Sequence, residues 1–238
     1  MRRGERLALA VIAFWLLVAL GADLIAPNPN AVALENMLES PSLQSPFGYD
    51  ELGRPLGARI AHGARVSIIV SLAVVLVSAA IGISVGLLLG WCGSWIDSLG
   101  VRVIDIFLAF PGLLLALALA GLLGPGVENV VIALSAVGWV GFARLTRAQT
   151  MSLRSRDHVQ VALALGTPLA RVLLRHVLPL AVAPLLIEAT FAIAAVIIAE
   201  AGLSFLGLGI QAPDPSWGSM IKSGTRYMLT APHEGSGA

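Results

Sequence analysis

Residues 157–179 read DHVQVALALGTPLARVLLRHVLP, a polar interruption between stretches oily enough to span a bilayer. Apolar residues at helical spacing are interleaved here with His158, Gln160, Arg171, Arg175 and His176. Glycine permits a turn at Gly166 and proline is expected to end a helix at Pro179. The spacing therefore predicts two short amphipathic pieces forming a helix-turn-helix on the membrane surface. Such a segment suits docking to a cytoplasmic protein; a loop that only solvates its charges is the other reading, and pattern alone leaves both open.

Composition sets the class around this segment. The chain has 238 residues, of which 57% are hydrophobic and 12% charged, against about 25% charged in ordinary soluble domains. An all-α, polytopic membrane helix bundle is the expected fold. A net charge of +1 gives no reason to expect nucleic acid as a partner, and Lys222 is the only lysine. The single cysteine, Cys92, cannot form an intramolecular disulfide.

Five apolar runs follow one another. Arg2, Arg3 and Arg6 precede the first, which ends near Ala26. Its basic start and small-residue end would also suit a signal peptide, but it approaches the ~20 residues a crossing needs, so an uncleaved helix over 1–26 is preferred. Residues 27–65, rich in Pro, Asn and Ser, are expected as an extracytoplasmic loop with a short helix leading into the membrane. The second run, 66–89, reaches roughly 36 Å as a helix. Within and just beyond it, Gly82, Gly86 and Gly90 share one face, which lets another helix backbone approach closely. A break is expected over 91–102, then a third run over 103–123 kinked at Phe110-Pro111-Gly112. After the turn Gly124-Pro125-Gly126, a fourth run spans 127 to about 142, with Leu145 and Ala148 as its extension. The fifth covers 180–208, and the tail 209–238 is too polar to span.

Orientation follows from the basic residues. With the N-terminus inside and five crossings, ten lie inside: Arg2, Arg3, Arg6, Arg102, Arg144, Arg147, Arg154, Arg156, Arg171 and Arg175. Five lie outside: Arg54, Arg59, Arg65, Lys222 and Arg226. Basic loops resist translocation, so the segment 157–179 is expected to be cytoplasmic and the tail extracytoplasmic. Asp105, Glu188 and Glu200 fall in or near apolar runs, where a charge tends to face protein or a water-filled path. All three are pathway candidates, with helix-end placement the competing reading for Asp105 and Glu200. The four histidines show no spacing of a metal site.

At this point the residues resemble a family. Gln160 to Pro179 is similar to the EAA loop of bacterial binding-protein-dependent ABC importer permeases, with Gly166 as its glycine and Leu178-Pro179 as its Leu-Pro. FGYDELGR with GARVS, VIDIFLAFPGLLLAL, VGWVGFARLTRAQ, RHVLP and AEAGLSFLGLGIQAPDPSWGSMI occur in the order found in the second permease subunit of the dipeptide, oligopeptide and nickel branch.

The resemblance implies a type I importer permease whose core, 66–208, carries a coupling loop over 150–179. It implies a second homologous permease subunit, two cytoplasmic ATP-binding subunits that hold the ATP and magnesium, and an extracytoplasmic solute-binding protein. This chain itself is implied to bind no cofactor and to be no enzyme, and it has no GxxxxGK phosphate loop.

Carried over by position, the coupling residues are Gln160, Ala162, Ala164, Gly166, Arg171, Arg175, His176 and Pro179. The alanines serve close contact, Gly166 the turn and the arginines the partner's acidic groups or carbonyls. Two departures stand out. The family's glutamate is Gln160 and its first alanine is Val161, which replaces a partner salt bridge by at most a neutral hydrogen bond. Relatives continue into a final membrane helix where this chain ends in a short polar segment, either a natural five-helix form or a truncation.

Two other classes remain. A self-contained channel or ion-coupled secondary transporter could use Asp105, Glu188 and Glu200 as a relay but leaves the docking hairpin unexplained. A membrane enzyme lacks a convergent nucleophile and base.

Overall fold

The structure, a computed structural model, describes residues 3–25, 28–43 and 45–227. Expectations that fall on Arg2, on Ala26 and on residues 228–238 lie outside the described residues. The regular elements are helical: α1 (Arg3–Leu20), α2 (Ala22–Ile25), α3 (Leu56–Cys92), α4 (Ser94–Ala109), α5 (Gly112–Leu123), α6 (Val127–Leu153), α7 (Asp157–Ala164), α8 (Leu169–Val172), α9 (Leu178–Leu206) and α10 (Trp217–Tyr227). A π turn, Leu173–Val177, joins α8 to α9. The chain forms two compact units, one of residues 1–71, 120–130 and 197–238, the other of 72–119 and 131–196.

In the second unit, the glycine stripe of α3 meets α6. A Cβ added at Gly82 would lie 2.6 Å from the Cβ of Phe142, at Gly86 2.6 Å from the Ala143 carbonyl oxygen, and at Gly90 2.7 Å from the Arg147 carbonyl oxygen. No side chain fits there, so the two backbones are in direct contact, the geometry that small residues permit between membrane helices. The contacts also give direction. Partners on α6 advance from Phe142 to Thr146 to Thr150 as the glycine advances along α3, so α3 and α6 run parallel.

Parallel neighbours require the chain between them to come back across. That return is made by α4 and α5, two helices bent by 84° at their junction. Pro111 lacks the N–H that would continue α4, and the residue before it, Phe110, is held extended at φ −99° and ψ 140°. Three further helices are long and apolar enough to cross a membrane: Leu56–Cys92, Val127–Leu153 and the continuous stretch Leu169–Leu206. Counted together as one bent span, the returning pair brings the number to four by length and composition. The five-crossing expectation also counts α1, which has 18 residues and carries Glu5 and Arg6 at its start.

The first unit is knitted by polar clasps. Asp50 Oδ1 accepts hydrogen bonds from the backbone N–H groups of Leu52 and Arg54, both at 2.9 Å, and Oδ2 accepts one from Arg54 Nε at 2.7 Å. Arg59 Nη1 reaches Asn30 Oδ1 at 3.1 Å. An aspartate that bonds its own backbone two residues on makes a compact turn, so the stretch FGYDELGR is ordered by its own acid. Trp217 Nε1 donates to the Ile60 carbonyl oxygen at 3.2 Å, and its ring meets Trp15 edge-on with centroids 5.0 Å apart.

Several expectations are corrected. The break placed at 91–102 is confined to Gly93, whose φ of +60° turns the chain before α4 starts at Ser94. The third run is two helices with a sharp bend rather than one kinked span. The fourth run extends past Phe142 to Leu153. The tail, expected only to be too polar to span, carries α10, which buries Gly218, Met220 and Gly224. Pro179 does not end a helix: the backbone stays helical from Leu169 to Leu206. In an α turn its ring would meet the carbonyl of Arg175, and the wider π turn immediately before it relieves that clash.

Gly86→Val is expected to destabilise the protein by about 1–3 kcal/mol, the usual range for overpacking. Gly202→Ala, where an added Cβ meets nothing within 4 Å, should leave stability unchanged. Monodispersity after a heating series in detergent measures both.

Candidate functional site

The segment 157–177 is two-sided. Val159 and Ala162, one turn apart on α7, are buried together with Val172, Leu173 and Val177. Their surroundings are Val75 and Leu87 of α3, Phe142 and Leu153 of α6, and Ala181 and Leu185 of α9. This apolar side anchors the segment on three membrane helices, because burying each such side chain contributes about 1.5–3 kcal/mol.

The turn between the two pieces is a Schellman motif. Thr167 N–H donates to the Ala162 carbonyl at 3.0 Å and Gly166 N–H to the Leu163 carbonyl at 2.9 Å. Closing these bonds needs a left-handed residue, and Gly166 has φ +77°. An added Cβ would meet nothing within 4 Å, so backbone conformation, not space, is what calls for glycine there.

Of the residues picked from the sequence, Gln160, Ala164, Gly166, Arg171 and Arg175 are exposed, as is Pro179, while His176 is half-buried. Ala162 is corrected: it faces the core and is not available for close contact with a partner. Gln160, though exposed, is also engaged within the chain, since its Nε2 donates to the Arg154 carbonyl oxygen at 2.7 Å. The segment also exposes four apolar side chains, Val161 and the leucines Leu165, Leu169 and Leu174 that sequence reasoning passed over, with Leu165 81% exposed. Their signal was legible as the apolar positions off the buried stripe.

Three supporting residues were also missed. Arg147 and Asp97 form a two-pronged ion pair, Nη2 to Oδ2 at 2.6 Å and Nε to Oδ1, which ties α6 to α4. Arg154 Nη1 donates to the carbonyl oxygens of Gly90 and Trp91 at 3.2 and 3.3 Å. Those carbonyls end α3 without helical partners, and a guanidinium is a favourable cap for them. Partners 50 and more residues apart leave no local pattern.

The acidic candidates fall into three different settings. Asp105 is exposed on α4. Glu188 is half-buried, and a Cβ added at Gly141 of α6 would overlap its Oε1. Glu200 is fully buried, with Oε2 accepting from Ser67 Oγ at 3.0 Å and Oε1 from Ser204 Oγ at 2.8 Å. Ser204 Oγ in turn accepts from the Ile210 N–H at 3.0 Å. Glu200 is thus engaged in joining α3, α9 and the loop after α9. Among the described residues no group of His, Cys, Asp and Glu is placed to hold a metal ion.

A helix bundle bearing an anchored, two-sided segment after its α6 crossing defines a class of membrane component, and comparison with known proteins names it. Residues 82–232, more than half of the chain, match the family described as binding-protein-dependent transport system inner membrane component. The chain belongs to this family and is a multi-pass inner-membrane permease component of an ABC importer, working with an ATPase and a binding protein. It is 38% identical to the dipeptide transport system permease protein DppC of Alkalihalophilus pseudofirmus, over 94% of this chain and 74% of that one. It is 38% identical to a putative peptide transport system permease protein of Brucella suis, over 97% and 78%. It is 39% identical to the glutathione transport system permease protein GsiD of Escherichia coli, also over 97% and 78%.

A double-mutant cycle of Asp97→Asn and Arg147→Gln is expected to give a coupling energy of about 1–2 kcal/mol, above the usual range for exposed ion pairs, because this pair is two-pronged and only partly solvated. Chemical denaturation in detergent measures it.

Proposed function

We propose that this chain moves short peptides inward, and that residues 157–177 take up the motion of a cytoplasmic ATP-binding partner. The cargo reading rests on the relatives, named for dipeptide, peptide and glutathione transport, and these favour peptides over nickel. A second, homologous permease subunit and two ATP-binding subunits complete the assembly, and ATP and magnesium sit on the latter. Orientation follows the basic residues. Arg144, Arg147, Arg154, Arg156, Arg171 and Arg175 gather along the end of α6 and the segment after it, so this end is cytoplasmic and the N-terminus lies on the same side.

The observation that carries the coupling reading is the two-sidedness of the segment. Its inner side is buried against α3, α6 and α9. Its outer side shows Val161, Leu165, Leu169 and Leu174 together with Arg171 and Arg175, a mixed surface suited to a protein cleft. Apolar side chains supply contact area and the guanidiniums reach acidic groups or carbonyls. Pushing on that surface moves the ends of three membrane helices at once. Glu188 is an acidic candidate for the pathway, an intramembrane carboxylate on α9 beside Gly141 of α6.

Gly166→Val places a β-branched residue in a left-handed conformation at a strain of about 1–3 kcal/mol. The expected outcome is normal membrane insertion with cargo-stimulated ATP hydrolysis and uptake both reduced; unchanged stimulation in proteoliposomes would sink the coupling reading. For Glu188→Gln, altered uptake with intact assembly is expected, and uptake identical to the parent removes Glu188 from the pathway.

A further inference from the structure

Gln160 stands where the family pattern has glutamate, and its side chain is engaged within the chain. Its Nε2 donates to the carbonyl oxygen of Arg154 at 2.7 Å, in the link between α6 and α7. The guanidinium of the same Arg154 donates to the carbonyl oxygens of Gly90 and Trp91, in the last turn of α3. One residue therefore holds α7 through its backbone and α3 through its side chain. The link is also tied to α6, since Arg154 N–H donates to the Thr150 carbonyl at 2.9 Å and Arg156 N–H to the Leu153 carbonyl at 3.1 Å. Residue type decides this arrangement. An amide nitrogen donates to a carbonyl, whereas a carboxylate of nearly the same shape has only acceptors and would set oxygen against oxygen.

We propose that Gln160 is a positioning residue for coupling: its side-chain amide latches α7 to Arg154, and through it to the ends of α3 and α6, so that motion of the docking surface reaches both helices without slack. The proposal rests on the coupling reading above. It inverts what the family pattern alone suggests, in which restoring glutamate would strengthen docking to the ATPase. In this chain glutamate breaks an internal tie, leaving α7 held on its inner side by Val159 and Ala162. The docking surface itself, formed by Val161, Leu165, Arg171 and their neighbours, is untouched by the change.

The test uses the assembled transporter with its ATP-binding and solute-binding partners in proteoliposomes. Gln160→Glu, which removes the donor, is compared with Gln160→Lys, whose ammonium keeps a donor for the same carbonyl. Spin labels on Cys92, the chain's only cysteine and exposed at the end of α3, and on His158→Cys in α7 report the distance between the two helices. Cargo moved per ATP hydrolysed reports coupling. With Gln160→Glu the distance distribution broadens and cargo per ATP falls about threefold or more, in line with losing one hydrogen bond. Co-purification of the ATPase stays at the parental level, and Gln160→Lys behaves as the parent. A parental cargo-to-ATP ratio for Gln160→Glu, or an unmoved distance distribution, overturns the latch. The coupling reading fails by a different result, full ATP-driven uptake by Gly166→Val, whatever the labels report.

Discussion

Two backbones touch along Gly82, Gly86 and Gly90 of α3, and this contact constrains much of the second unit. Between membrane helices the hydrophobic effect supplies little attraction, because lipid tails are as apolar as the side chains they replace; closeness and good packing hold the pair instead. Glycine every four residues keeps one face of α3 free of side chains over three turns, and α6 lies in that groove. Since the two helices run parallel, the chain between them must recross, and the bent pair α4 and α5 is the consequence. The same contact brings the ends of α3 and α6 together, where Arg154 reaches the last carbonyls of α3 and Arg147 of α6 pairs with Asp97 of α4.

On that locked end sits the segment proposed to take up the motion of the ATP-binding partner. Its inner side is apolar and continuous with the membrane core, and its outer side is mixed apolar and basic. A π turn carries it into α9 without a break. The expected stop at Pro179 would have made the segment an appendage with a flexible joint. A continuous helix makes it a lever: what moves α8 moves α9. The extra residue in the π turn lets Pro179 sit in a helix and keeps Val177, Ala181 and Leu185 on the buried side.

The acidic side chains and arginines described above follow one rule in both units, that a polar group removed from bulk water is held by a partner inside the protein. In one unit Asp50 gathers backbone N–H groups and Arg54, and the Glu200 carboxylate takes hydroxyl donors from Ser67 and Ser204. In the other, Asp97 takes Arg147 and the open carbonyls of α3 take Arg154. These pairs explain why acidic residues and arginines persist in so apolar a chain without each being part of a transport path.

The membrane class, the number of apolar runs, the glycine face and the left-handed turn at Gly166 are properties of local composition and spacing, and a linear reading suffices for them. So are the order of the family's motifs and the basic bias of the segments around 144–175. Tertiary structure decided the rest. Ala162 and Gln160 belong to the same motif, yet one faces the core and the other bonds to Arg154, because α7 rotates to bury Val159. Glu200 and Glu188 look alike in an apolar run, and only the serines brought to Glu200 from α3 and from one turn further along α9 separate them. The partner of Asp97 lies 50 residues away. Such pairings depend on which helix faces touch, and that is set by long-range packing, to which no single stretch of sequence holds the key.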